Sequence, residues 1–462
     1  MSILGAVIMP HPPVLLPEVG RGREEEIRIT TEACRQAARF VKELEPEVLV
    51  ITSPHTICYR DYFHISPGTA GVGDFSGFGA RQVRVETRYD GGFRAALLEE
   101  IEEAGLSAGT QGERDPSLDH GVMIPLSFMQ ETGVNCPVIR IGLSGFGPLE
   151  HYQLGVCIQR AAEKLGRRTV ILASGDLSHK LTADGPYGFA PDGPVFDRQA
   201  IRAMEEGDFL SLLTMDAGLC ERAAECGLRS FQIMAGALDG LGVDSKLLSY
   251  EGPFGVGYGV AFFRVYGRDE GRSFAEPFVR AEKIRLAERK AGEDPCVRLA
   301  RLSLENRVRT RKPLSDLPED LPPELTGRRA GCFVSLHIRG QLRGCIGTIA
   351  PTRESLAREI VDNAVSAGLR DYRFSRVEEW ELEQLEYNVD VLGEPEPIDG
   401  PEQLDVKKYG VIVTCDDRRG LLLPDLDGVD SVEQQIKIAR EKGGIGPYEP
   451  YTLERFEVVR HL

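Results

Sequence analysis

Ile8-Met9-Pro10-His11-Pro12-Pro13 decides how the first half of this chain is read. An apolar run over residues 3 to 9 meets a proline, which cannot donate to a sheet ladder, and a histidine follows at once. The same arrangement returns in Val48-Leu49-Val50-Ile51-Thr52-Ser53-Pro54-His55. In open α/β sheets ligands bind outside the carboxyl ends of the strands, so two strand ends can bring two imidazoles to one crevice. That is a metal-site arrangement, and imidazole suits iron, zinc, copper and nickel. The plainer alternative is that each Pro-His pair merely ends a strand at the surface.

Working outward, strands alternate with helical patterns. The pattern predicts a strand over 3–9, a helix over about 23–43, a strand over 47–52, a glycine-rich loop over 67–81 and a helix over 93–105. A strand over 137–141, a helix over 148–165, a strand over 168–173, a helix over 228–240 and a strand over 257–263 follow. Such alternation implies a mostly parallel central sheet flanked by helices. Six of the eight histidines lie within residues 1–265, which concentrates the titratable chemistry there. Residues 266–292 are charge-dense and weakly periodic and read as a linker. From Pro295 onward Val297, Ala300, Leu304 and Val308 recur at helical spacing, and residues 293–462 read as a separate α+β domain.

At 462 residues the chain is too long for one ordinary core. Its 72 acidic against 55 basic residues give a formal charge of −17, which argues against nucleic acid or an anionic membrane as a partner. The ten cysteines contain no Cys-x-x-Cys pair, so they read as reduced thiols rather than a zinc ribbon or a disulfide framework. The first residues lack a basic leader, and no apolar run approaches the roughly 20 residues a membrane helix needs. A cytoplasmic protein is expected.

Three further segments join the two histidines. Ser117-Leu118-Asp119-His120-Gly121 places His120 on a loop. Ala173-Ser174-Gly175-Asp176-Leu177-Ser178-His179 follows a strand end, with Asp176 spaced to orient His179 and raise its basicity. Ala223-Ala224-Glu225-Cys226-Gly227 offers a carboxylate and a thiol side by side. Each segment also has a bland reading, as a capping pair or a solvated charge.

Together, Pro10-His11-Pro12-Pro13, Ser53-Pro54-His55, Leu118-Asp119-His120-Gly121 and Asp176-Leu177-Ser178-His179 resemble the class III extradiol ring-cleavage dioxygenases of the LigB type. They are also similar to the related Memo family. The resemblance covers residues 1–265. It implies non-haem Fe(II) on His11, His55 and Glu225, with His179 as acid/base, Asp176 beside it, and His120 next to the oxygen and substrate positions. Memo relatives resemble the chain with cysteine as third ligand, here Cys226, which would favour copper or zinc. A small aromatic or phenolic substrate and O2 are what the dioxygenase resemblance implies.

The second half resembles the AMMECR family, through Gly340-Gln341-Leu342-Arg343-Gly344-Cys345-Ile346-Gly347-Thr348, Asp371-Tyr372-Arg373-Phe374 and Glu386-Tyr387-Asn388-Val389-Asp390-Val391-Leu392. Arg343 is a candidate anion donor and Cys345 a candidate thiol nucleophile, or else a small buried hydrophobe. The combination of halves looks like the AmmeMemoRadiSam systems, which implies a radical SAM partner protein in a modification pathway. The resemblance thus points to a metal-dependent oxidoreductase. A non-catalytic Memo-like metal- or peptide-binding module, with the AMMECR half docking a partner, stands as the alternative.

Overall fold

A computed structural model describes residues 1–338, 340–426 and 428–462, with the side chain of Gln341 outside that description. The chain forms two compact units, Met1–Glu282 and Lys283–Leu462.

The first unit contains β1 (Ile3–Met9), β2 (Val48–Ser53), β3 (Phe63–His64), β4 (Ala70–Phe75), β5 (Ala80–Arg88), β6 (Ala108–Gly109), β7 (Val138–Gly142), β8 (Thr169–Ser174), β9 (Leu241–Glu251) and β10 (Tyr258–Arg268). Six of these make the central sheet, in the order β7-β2-β8-β1-β10-β9. The β2–β7, β2–β8 and β1–β8 pairs are parallel, and β10 and β9 extend the sheet antiparallel. Strands β2 and β8 are buried along their whole length, as their unbroken apolar runs require of strands covered on both faces. On one face Val7, Leu49, Ile51 and Leu172 pack with the helices Arg28–Glu43 and His120–Glu131. On the other, Ile8, Val50, Ile171 and Ala173 pack with Gly91–Ala104, Pro148–Leu165 and Leu228–Ala237.

The glycine-rich stretch expected as a loop carries the antiparallel hairpin β4–β5. The segment expected as a linker is helical over Ala275–Ala291, because its Ala, Glu, Lys and Arg are strong helix formers as well as solvated charges.

The second unit is built on an antiparallel sheet of β11 (Cys332–Ile338), β12 (Gln341–Gly347), β13 (Leu385–Leu392), β14 (Glu396–Ile398), β15 (Tyr409–Cys415), β16 (Arg418–Leu422) and β17 (Thr452–His461). The order is β12-β11-β13-β17-β15-β16, with β14 beside β17. The helix read from its periodicity runs Pro295–Thr310, and Val297, Ala300 and Leu304 are buried against β11, β13 and the helix Leu356–Leu369. Among the described residues, no helix is long and apolar enough to cross a membrane.

Candidate metal centre

Strands β1 and β2 do not touch; β8 lies between them. Met9 is level with Ser174 at the end of β8, and Thr52 is level with Ala173. His11 and His55 therefore leave their strands on either side of Ser174 and meet above it, with Nε2 of one 3.0 Å from Nε2 of the other. The Sγ of Cys226 is 3.9 Å from the His11 Nε2. The ligand atoms of His11, His55 and Cys226 all lie within 4.8 Å of one another.

Hydrogen bonding fixes which histidine nitrogen is available. The Ser174 hydroxyl lies 2.5 Å from the Gly121 carbonyl, which can only accept, so its proton is spoken for. Ser174 Oγ must then accept from His11 Nδ1 at 2.9 Å. This leaves the lone pair of His11 on Nε2, aimed at His55. A ligating imidazole is usually held by such an outer hydrogen bond. Burial, and then the neighbouring His55, lowers the His11 pKa to about 3 and keeps the ring neutral.

His120 adds a third ring, with centroids 4.0 Å from His55 and 5.4 Å from His11. Burial and then His55 lower its pKa to about 3 as well. Its position follows from Asp119, the N-cap of the helix His120–Glu131, whose carboxylate accepts from Val122 N–H. The same carboxylate accepts from the Ser53 hydroxyl at 2.6 Å, the Thr56 hydroxyl at 2.7 Å and Arg140 Nη2 at 3.1 Å. Burial raises the Asp119 carboxyl, but Arg140 and the two hydroxyls outweigh it and hold it below the ordinary carboxylate range. This bracket between β2, β7 and the helix went unread in the sequence. Its signal was Arg140, a lone charge inside the apolar run Val138-Ile139-Arg140-Ile141.

Asp176 does not orient His179 as its spacing led us to expect. Its Oδ1 accepts from the backbone N–H of His11 at 2.9 Å, while its Oδ2 lies 3.9 Å from His11 Nε2. His179 is oriented by the carbonyl of Ala224, to which Nδ1 donates, leaving the lone pair on Nε2. Ala224 stands in the left-handed region at φ 53°, a conformation a residue with a side chain adopts only under local constraint. A ring nitrogen of His179, the Asp176 carboxylate and Cys226 Sγ also lie within 4.8 Å of one another. Burial pushes the Asp176 carboxyl up to about 6 and the Cys226 thiol well above its usual value.

Glu225, the expected third ligand, is turned away. Its Oε2 accepts from the Leu228 N–H at 2.7 Å and so caps the helix Leu228–Ala237. Burial pushes its carboxyl up to about 7. Of the two adjacent candidates, Cys226 is the one whose ligand atom stands with the histidines. Gly175 and Gly227 make this possible, because a Cβ on Gly175 would lie 2.1 Å from the Gly227 Cα. The loop carrying Asp176 and the turn carrying Cys226 touch backbone to backbone. Two imidazoles and a thiol, converging on one point with a carboxylate and a further histidine beside them, fit a transition-metal ion.

In the second unit Arg343, expected as an anion donor, is bidentate to Glu381, at 2.7 and 3.0 Å, and also donates to the Ser375 carbonyl. Cys345 Sγ accepts from the Ser335 hydroxyl at 3.2 Å, and burial raises its thiol pKa, which keeps it protonated. The Cys345 N–H donates to Asp371 Oδ2 at 2.9 Å, and its carbonyl accepts from Arg373 Nη2 at 3.2 Å. Cys345 is therefore held within a structural network.

The mostly parallel sheet thus carries a histidine cluster at its strand ends. Residues 5–261 match the family described as the catalytic LigB subunit of aromatic ring-opening dioxygenase, and residues 297–461 match AMMECR1. The chain belongs to the LigB family and carries an AMMECR1 domain fused behind it. It is 38% identical over 477 residues to a Clostridium acetobutylicum protein, CA_C1420, covering 100% of this chain and 99% of that one. A Thermotoga maritima protein is 49% identical over 172 residues, covering 37% of this chain and 98% of its own length. Among solved structures, Pyrococcus horikoshii PH0010 covers 36% of this chain and 88% of its own, at 31% identity and a TM-score of 0.34. Escherichia coli K12 JW3007 covers 56% and 99%, at 15% identity and a TM-score of 0.35.

Proposed function

We propose that the first unit is a metal-dependent oxidoreductase acting on a small phenolic substrate with O2, its metal held by His11, His55 and Cys226. The observation that carries this reading is the convergence of His11 Nε2, His55 Nε2 and Cys226 Sγ, with His11 locked by Ser174 in the tautomer that presents its lone pair. A bound redox metal would supply electron transfer between substrate and O2, and the thiol makes the site softer than a two-histidine, one-carboxylate set, favouring copper alongside Fe(II).

The chain's own groups have distinct tasks. His179, with Nδ1 committed to the Ala224 carbonyl, accepts a phenolic proton at Nε2 and returns it. His120, neutral and partly exposed, donates to or accepts from an oxygen of the bound reactants. Asp176 holds the backbone entry to His11. His55 is exposed, so the site opens on its side. We further propose that the AMMECR1 domain docks a radical SAM partner protein in a modification pathway, a reading that rests on the pairing of the two domains alone.

A second reading has its own observation. A cysteine in place of the glutamate ligand favours a Memo-like module that binds metal without turning over. Elemental analysis of anaerobically purified wild type, His11→Ala, Cys226→Ser and Glu225→Gln, followed by oxygen uptake with a catechol panel, tests both. Metal lost in the first two variants and kept in Glu225→Gln, with catechol-dependent oxygen consumption, supports the oxidoreductase. The same metal pattern without oxygen consumption favours the binding module, and metal retained in Cys226→Ser overturns the triad.

A further inference from the structure

The second unit contains a ligand cluster that has no part in the centre described above. Asp294, Cys296 and His461 each bring one ligand atom to a common point, all within 4.8 Å of one another. Asp294 is the N-cap of the helix Pro295–Thr310, and its Oδ1 accepts from the Cys296 N–H at 2.7 Å. The same oxygen lies 3.0 Å from His461 Nδ1, at the end of β17. Pro295 at the first helical position fixes the backbone between the two ligands of the helix, so carboxylate and thiol are presented together before any ion arrives.

Exposure grades across the cluster. Cys296 is 3% exposed, whereas the Asp294 and His461 side chains are 35% and 21% exposed. A hydrated ion would meet the carboxylate and imidazole first and the thiol last. An ion pair between Asp294 and His461 needs no sulfur beside it. The donor set also selects the ion. A thiolate disfavours calcium and magnesium, while thiolate, imidazole and carboxylate are the three ligand types zinc accepts, with water in a fourth position.

We propose that Asp294, Cys296 and His461 form a zinc site that clips the first long helix of the AMMECR1 domain to its last strand. On binding, the Cys296 thiol proton passes to solvent, His461 carries its remaining proton on Nε2, and water completes four-coordination. The deprotonated thiol and carboxylate supply two negative charges that balance Zn2+. Because His461 lies far along the chain from Asp294 and Cys296, the full ligand set exists only in the folded domain, which the ion therefore stabilises.

The test uses the full chain carrying His11→Ala and Cys226→Ser, so that the first centre contributes no metal, with Zn2+ and Co2+ as probes. That chain should retain about one zinc per molecule after gel filtration. Its Co2+ form should show a thiolate-to-metal charge-transfer band. Adding Cys296→Ser should abolish the band, and adding His461→Ala should weaken zinc binding roughly tenfold or more while circular dichroism stays unchanged. Should Cys296→Ser fail to fold, the part-exposed His461→Ala variant decides alone. A chain that binds no zinc, a band that survives Cys296→Ser, or undiminished binding in folded His461→Ala overturns the site. Failure of the first centre would appear only as equal metal content in the wild type and the double variant.

Discussion

The cluster around Arg343 and Cys345 and the cluster around His11 each gather cysteine, acid and cationic or imidazole groups, yet they use them in opposite ways. Around Arg343 and Cys345 polar groups are matched to one another: the guanidinium lies along Glu381, and the backbone of Cys345 is held by Asp371 and Arg373. Around His11, the hydrogen bonds run outward, to Ser174 and on to Gly121, and leave the His11 Nε2 lone pair facing inward. The first arrangement holds backbone and side chains in place. The second brings two imidazoles and a thiol to one point.

The largest effect should come from breaking the matched cluster. Arg343→Leu leaves the Glu381 carboxylate, only 7% exposed, without its partner. Removing one member of such a buried pair costs about 3–5 kcal/mol, so denaturant unfolding should show the second unit strongly destabilised. Metal content of the first unit should not change, and if it does the two clusters are not independent.

Next is Gly175→Ala. Its new methyl would meet the Gly227 backbone, and overpacking of this kind costs about 1–3 kcal/mol. Because the contact sets the position of Cys226, the variant should also lose metal, measured by elemental analysis, and this separates it from ordinary core overpacking.

Ser174→Ala attacks the outward hydrogen bonds alone. His11 loses the acceptor that fixes its tautomer, and metal affinity should fall roughly 10- to 100-fold, read by chelator competition, while thermal stability changes little. An unchanged affinity would mean that the inward lone pair does not depend on Ser174.

The smallest effect at neutral pH concerns a histidine outside the centre. His151 is fully buried, and burial lowers its pKa to about 3 from a model-peptide value of 6.5. The unfolded chain therefore binds a proton that the folded chain refuses throughout that window. Stability due to the neutral ring is complete above pH 6.5 and is lost as the pH falls towards 3, by up to about 1.4 kcal/mol per pH unit. His151→Phe should remove this contribution, so the difference from wild type in urea midpoints should grow on acidification. A constant difference would show that the ring is not held neutral.

Much of this was legible in the sequence. Apolar runs stopped by proline located β1 and β2 and delivered His11 and His55 to the correct ends, because strand period and proline chemistry are local. Which of Glu225 and Cys226 stands with the histidines was not legible, since the two are neighbours and only the demand of the Leu228 N–H for a cap separates them. Nor was the function of Asp176: its spacing from His179 is local, but its partner, the His11 amide, is far off in the chain. The hairpin β4–β5 was hidden by glycines that lower strand propensity, and Arg140 by the absence of any sign that its partner was Asp119.

The edge of the second sheet has a consequence outside chemistry. Strand β12 ends the ladder, and an outermost strand with open amides is a template on which another chain can lay itself down. At Cys345, Asp371 and Arg373 answer both the N–H and the carbonyl from within the molecule. The Asp-x-Arg of the family motif thus acts as a stopper at this point of the edge, guarding the fold against self-propagating strand addition.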